Sequence, residues 1–341
     1  MRRLLAPPPA VGLRELDAPP SFSVIVAAYQ VSDVIGEALE SLRAQTLPPQ
    51  EVIVCDDGST DDLDAALGPY AEEIQLIRKE HGGEASAKNA AAAVASGEFV
   101  VILDADDAWL PERLEAIAEA AVARLDLDII TTDAYLAANG RRVRRCYSSG
   151  WTFEPFEQRR AILERNFIFG HPAVRRELLL AHGGFDQSIL WTTDWDCWIR
   201  LILSGARVGC VDEPLAVYRV RETSLSARRD DLLRGRIATL RKARNHPALD
   251  DDERAALESA LIGLERELAW SDTRSAIAAG ERDARKRART IALSPDYRRA
   301  TRLRAAAFAL SPAVAAWLIR RDAARWWTGA GGTRVRRQPS P

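Results

Sequence analysis

The sequence predicts an α/β fold, a mostly parallel central sheet covered by helices. Two observations carry this. Short apolar runs at Phe22–Tyr29, Glu51–Cys55, Ile74–Ile77 and Phe99–Leu103 alternate with stretches of helical periodicity. Two of these runs then drive into carboxylates: Asp56-Asp57-Gly58-Ser59-Thr60-Asp61-Asp62 and Asp104-Ala105-Asp106-Asp107. The five apolar residues Phe99–Leu103 suit a strand buried on both faces. Strands of a parallel sheet end on one edge, and ligands bind beyond those carboxyl ends. Both acidic clusters therefore face one crevice, where hard oxygen ligands suit Mg²⁺ or Mn²⁺.

Taken in order, residues 1–20 are Pro-rich and are expected to form a flexible arm. After the first strand, Val34, Ala38, Leu39 and Leu42 repeat at helical spacing until Pro48-Pro49. Gly82-Gly83 opens an alanine-rich helix, and such a start permits close approach of a phosphate. It matches neither a Walker loop nor GxGxxG, which removes the main support for an ATPase or an NAD enzyme. These units make residues 21–110 a Rossmann-like nucleotide-binding half. Leu127–Asp133 reads as another strand, and Asn139–Trp151 as a basic hairpin or loop. From Asp194 the spacing of Trp195, Trp198, Ile199 and Ile202 predicts a helix with Asp194 in its first turn. Val208–Arg219 reads as strand, turn and strand.

From Arg228 the pattern turns helical and charged, with Leu257, Leu261, Leu264 and Leu268 on one face. Ala305–Trp327 combines aromatics with arginines. That suits an amphipathic helix in a membrane headgroup layer, or one packed back on the domain. Residues 329–341 are expected to be disordered. No apolar span is long enough to cross a bilayer, and Pro7-Pro8-Pro9 interrupts any secretory signal. The 341 residues are 47% hydrophobic and 28% charged, as in ordinary globular proteins, and the formal net charge of −2 argues against a nucleic-acid binder. Four scattered cysteines without a CxxC pair argue against zinc or a disulfide framework.

The ordered set Asp56-Asp57-Gly58-Ser59-Thr60-Asp61, Asp104-Ala105-Asp106, Gly184-Phe185-Asp186 and Asp194-Trp195-Asp196 resembles glycosyltransferase family 2. The resemblance covers roughly residues 22–226. It implies a GT-A fold over residues 21–227, followed by a helical extension over 228–328. It implies inverting transfer of a sugar from a UDP-, GDP- or dTDP-sugar, aided by a divalent cation (Mn²⁺ or Mg²⁺). The acceptor would be a saccharide or lipid-linked, as in polysaccharide or glycolipid synthesis on the cytoplasmic face of a membrane. Asp57, with Asp56 beside it, would hold the base or ribose. Ala28 and Tyr29 would line the base, and Lys88 would belong to the nucleotide site. Asp104 would contact ribose or metal, and Asp106 would be the principal metal ligand. Asp194 would be the general base, and Arg219 and Arg221 would face the diphosphate. His171, Trp191 and Asp196 are acceptor candidates, though Asp196 can instead pair with Arg200 at i+4.

Two departures stand out. Thr193 replaces the usual glutamate before the base, and Arg221 replaces a frequent histidine. Two alternatives stay open: a nucleotidyltransferase, which lacks its Gly-rich basic loop after the first strand, and a nucleotide-sugar-binding scaffold without activity.

Overall fold

The computed structural model describes residues 2–9, 20–138, 141–147, 152–168, 171–220, 229–311, 315, 326–328 and 334–336. The strands are β1 (Leu4–Leu5), β2 (Phe22–Ala28), β3 (Glu51–Asp56), β4 (Gln75–Arg78), β5 (Phe99–Ile102), β6 (Ala108–Trp109), β7 (Ile129–Ala138), β8 (Arg141–Arg145), β9 (Ala173–Arg175), β10 (Val208–Val220), β11 (Trp326–Thr328) and β12 (Arg334–Arg336). The main sheet runs β1-β10-β7-β9-β5-β2-β3-β4, with β6 on β10 and β8 on β7. β2 is parallel to β3 and β5, β3 to β4, and β7 to β10; β9 runs antiparallel between β5 and β7.

The strands are apolar throughout because both faces are covered. Val24 and Val26 of β2 and Val101 of β5 join the cluster beneath α1 (Ile35–Arg43), α2 (Leu63–Leu67) and α4 (Arg113–Ala123). Ile25, Val100 and Ile102 point the other way, toward α3 (Glu84–Val94), α5 (Gln158–Glu164), α6 (Arg176–Ala181) and α7 (Thr193–Leu203). The four α7 residues predicted to share a face are all buried. Asn89 of α3 clamps Gly184-Phe185, accepting from Phe185 N at 2.8 Å and donating to Phe185 O at 2.7 Å. A Cβ on Gly184, at φ +64, would collide with that amide, so the turn demands glycine.

Four helices follow: α8 (Arg229–Ala243), α9 (Asp251–Ala279), α10 (Ala284–Leu293) and α11 (Arg299–Leu310). A capping box between Asp250 and Glu253 starts α9, and left-handed Gly280 ends it. Leu257 and Leu261 of α9 join the catalytic core, while Ala276 and Ile277 pack with Ala284 and Ala288 of α10. No helix among the described residues is long and apolar enough to cross a membrane.

Three sequence expectations change. Part of the arm is built into the sheet: β1 pairs with β10, and Arg2 contacts Glu115, Glu119 and Glu213, so unpaired β10 edge groups recruit the chain end. Val208–Val220 is one strand whose register shifts at Pro214 absorb the expected turn, because proline removes a ladder donor. The tail is not one helix. α11 stops at Leu310, with Ser311 extended before Pro312, and residues 326–328 pair with 334–336 where a helix and disorder were expected.

Candidate active site at the carboxyl ends of the strands

Beyond β5 the chain turns at once, with Asp107 N–H donating to Asp104 O at 3.0 Å, before β6 pairs with β10. This turn brings Asp104 and Asp107, rather than Asp104 and Asp106, onto one point. There they meet His171, whose Nε2 lies 2.9 Å from Asp107 Oδ2 and 3.7 Å from Asp104 Oδ2. One ligand atom from each of these three residues fits within 4.8 Å of the others, and Asp106 stands beside them. His171 adopts a left-handed φ of +57° and is fully buried, with its carbonyl held by the buried Arg113 at 2.6 Å. The acceptor role expected of His171 is therefore corrected: its ring lies under the acidic turn and offers no open face.

The electrostatics follow from burial and charge. Burial alone would raise Asp104, but Lys88 and His171 hold it far below the usual carboxylate range. Asp106 is pushed up to about 7 by burial and by the charges of Asp107 and Asp104. Burial raises Asp107 as well, against the pull of His171. Burial would lower His171, but Asp104 and Asp107 reverse that and raise it. Among the described residues, Asp107 Oδ2 and both His171 ring nitrogens are buried without a hydrogen-bond partner, the Asp107–His171 contact being close but misaligned. Crowded carboxylates, an imidazole and unsatisfied donor atoms fit a divalent cation.

Across the crevice, α7 begins at Thr193 and carries Asp194 in its first turn, as predicted. Asn166 Nδ2 donates to Asp194 Oδ2 at 3.0 Å. Desolvation pushes the Asp194 carboxyl up to about 6, against the positive charge of Lys88. Lys88 is buried with its ammonium between Glu84 and Asp104, so the structure commits it to those acids instead of the nucleotide. Asp196 also departs from its acceptor assignment. It is buried, held by Arg200 at 2.9 Å and Lys242 at 2.8 Å, because its helix position faces α8 rather than the crevice. Trp191, half-buried at φ +71, precedes the helix on a loop that Gly235 of α8 supports closely.

The second acidic cluster builds a loop. Asp57 N–H bonds to Ala28 O, tying β3 to the end of β2. The Asp57 side chain, 2% exposed, accepts from Lys79 Nζ (2.6 Å), Gly82 N (3.0 Å) and Gly83 N (2.7 Å) and touches His81 Nδ1 at 2.9 Å. Burial opposes its ionisation, but these donors lower its pKa overall. All of these contacts come from residues 79–83, so Asp57 shapes the loop beside the expected base site. Asp56 spends one oxygen on Ser59 N at 2.8 Å, and its other oxygen sits loosely 3.9 Å from Arg78. The loop that Asp57 shapes carries His81, which stacks on the exposed Tyr29 at 4.1 Å between ring centroids. Asp57→Ala should lower the melting temperature and cost roughly 2–4 kcal/mol by stranding several donors; thermal denaturation checks this. An unchanged midpoint would show that the loop holds itself.

Arg219 is placed differently from expectation. Its guanidinium pairs with Glu37 of α1 and lines an open cavity of about 710 Å³ behind the acidic turn, with Tyr70 and Pro69. Its backbone N–H donates to Asp107 Oδ1 at 2.7 Å, so Arg219 supports the turn through its main chain. Arg221 lies outside the described residues. Sequence reasoning missed Asp107 and Asn166 as site residues; the third acid of Asp104–Asp107 was a visible signal for the first, while nothing local marks Asn166.

Residues 23–182 match the family described as glycosyl transferase family 2. The succinoglycan biosynthesis proteins ExoO and ExoU of Rhizobium meliloti (strain 1021) are 29% and 30% identical to it, over 64% and 61% of this chain. The match spans 65% of each relative, just under two thirds of its length. S. aureus TarS residues 1–349 superpose with a TM-score of 0.56 at 19% identity, over 94% of this chain and 97% of that one. The mannosyltransferase PcManGT from Pyrobaculum calidifontis, solved with GDP-Man and Mn²⁺, gives 0.56 at 23% identity, over 90% of this chain and 91% of that one. The last two likenesses establish the shared fold, and residues 23–182 are the part of the chain that is similar to glycosyltransferase family 2.

Proposed function

We propose that this protein transfers a glycosyl group from a nucleoside-diphosphate sugar to an acceptor hydroxyl, with inversion at the anomeric carbon. The observation that carries the reading is Asp194, a carboxylate in the first turn of α7 whose pKa desolvation pushes to about 6, facing the Asp104–Asp107–His171 cluster. Asp194 takes the proton of the acceptor hydroxyl as its oxygen attacks the anomeric carbon. The bond from that carbon to the β-phosphate oxygen breaks, and the nucleoside diphosphate leaves with the electron pair. A divalent cation at Asp104, Asp106, Asp107 and His171, Mn²⁺ or Mg²⁺, would neutralise charge on the departing diphosphate. Asp56, Ala28 and the Tyr29–His81 stack flank the base, and Trp191 stands where an acceptor sugar would approach.

Neighbouring structures support a nucleotide-sugar donor: TarS was solved with UDP-GlcNAc, and PcManGT with GDP-Man. The relatives named for succinoglycan biosynthesis support a role in polysaccharide synthesis, and the proposed acceptor is a saccharide or a lipid-linked one, on the cytoplasmic face of a membrane. The test is thermal stabilisation by UDP-, GDP- and dTDP-sugars with and without Mn²⁺, followed by product analysis with the best donor. Stabilisation by one nucleotide and release of its diphosphate are expected; no shift with any nucleotide would overturn the reading.

The same geometry sets a pH dependence. Asp194 acts as a base only when ionised, so kcat/KM should rise with pH through about 6 and level above it. Asn166→Ala removes a donor that favours the ionised form, so its profile should shift to higher pH. A profile flat between pH 5 and 7.5 would remove Asp194 from the proton transfer.

A further inference from the structure

The helical hairpin α10–α11 is unlike the rest of the surface. Between Arg282 and Arg304 lie nine basic residues and two acids, on a chain of formal net charge −2. The two acids are already engaged: Asp283 pairs with Arg287 and Asp296 with Arg266. Arg282, Lys286, Arg289, Arg298, Arg299 and Arg304 are exposed, and no carboxylate partner is seen for them among the described residues.

The inner side of α11 is fixed. Ala305 is fully buried, Phe308 stacks on Trp270 of α9 at 5.5 Å, and Arg285 Nε of α10 donates to Ala309 O at 2.6 Å. The outer side carries Ala300, Leu303, Ala307 and Leu310, all exposed, at the i, i+3, i+7, i+10 spacing of one helical stripe. Leu303 is 63% and Leu310 79% exposed, and Leu293 at the end of α10 is 69% exposed. Arg299 and Arg304 flank this stripe.

An apolar stripe bordered by arginines is what a helix lying in a headgroup layer presents. Leucines enter the acyl boundary, and guanidiniums reach phosphate oxygens from flexible stems. A polyanion would use the charges and leave the leucines wet, while a second copy of this chain would bring the same positive charge against itself. We propose that the outer face of α11, with the basic surface of α10, docks this protein on an anionic lipid bilayer. The docking element is the α10–α11 hairpin, whose second helix overlaps the start of the Ala305–Trp327 segment, and it does not depend on the proposed transferase activity.

The test is co-sedimentation of the full chain with vesicles of phosphatidylcholine alone and of phosphatidylcholine with 30% phosphatidylglycerol, at low and high salt. Binding to the anionic vesicles, weakened by salt, is expected. Leu303→Glu with Leu310→Glu should reduce the bound fraction by about tenfold or more, and Arg299→Glu with Arg304→Glu should do the same. These side chains are exposed, so an unchanged melting temperature confirms that each variant is folded. No binding of the parent to anionic vesicles would overturn the proposal. So would binding that survives both variants, or a concentration-dependent dimer, seen by light scattering, that only the leucine variant abolishes.

Discussion

Asp194→Asn is expected to lower kcat by about 10²–10⁴-fold, the usual contribution of a positioned base. The substitution keeps the size of the side chain and its contact with Asn166, so binding and folding should survive. Its signature is a loss concentrated in kcat, with donor KM nearly unchanged and nucleotide-dependent thermal stabilisation intact. Steady-state kinetics at pH 7.5 check this. A kcat within threefold of the parent would show that another group takes the proton, and would leave Asp194 as a helix-start carboxylate.

Removing the cation should cost nearly as much. The cluster at the end of β5 brings Asp104, Asp107 and His171 onto one point with Asp106 beside them, and burial with the charges of Asp107 and Asp104 pushes Asp106 up to about 7. A divalent cation relieves that repulsion and neutralises the leaving diphosphate, worth several kcal/mol. At about 1.4 kcal/mol per decade, activity after chelation should fall by roughly 10²–10³-fold. Asp104→Asn should abolish the Mn²⁺-dependent part of the thermal shift. His171→Gln should weaken Mn²⁺ about 10–100-fold as measured by calorimetry. If chelated protein keeps full activity, no cation is needed to neutralise the departing diphosphate, and the acidic cluster is not a metal site.

The legible parts of this protein are those written in local pattern. Phe99–Leu103 announced a strand covered on both sides, and every one of its residues is buried. The 3.6-residue spacing of Trp195, Trp198, Ile199 and Ile202 is enough to place Asp194 in the first turn of α7. What escaped was long-range or depended on which way a turn points. His171 lies 64 positions beyond Asp107, and only the antiparallel β9 brings its neighbourhood beside β5. Asp57 and Asp56 are adjacent acids, yet one is held by the 79–83 loop and the other by Ser59, because successive side chains at the end of a strand point to opposite sides. The i+4 pairing of Asp196 with Arg200 was legible in the sequence, but its second partner, Lys242 of α8, 46 positions away, was not. Composition suggested an unstructured start, but the free edge of β10 overrode it.

The length of α9 turns the hairpin and the catalytic domain into two ends of one ruler. Leu257 is anchored in the catalytic core and Ile277 in the α10 cluster. At 1.5 Å per residue those anchors lie about 30 Å apart along the axis. A hairpin resting on lipid would hold the crevice at a set height rather than against the surface. Acceptors whose reactive hydroxyl sits directly on a lipid carrier would then be out of reach, while chains already several sugars long would present their growing end at the right level. Shortening α9 by two whole turns, which preserves its buried face, would shift that preference toward shorter acceptors.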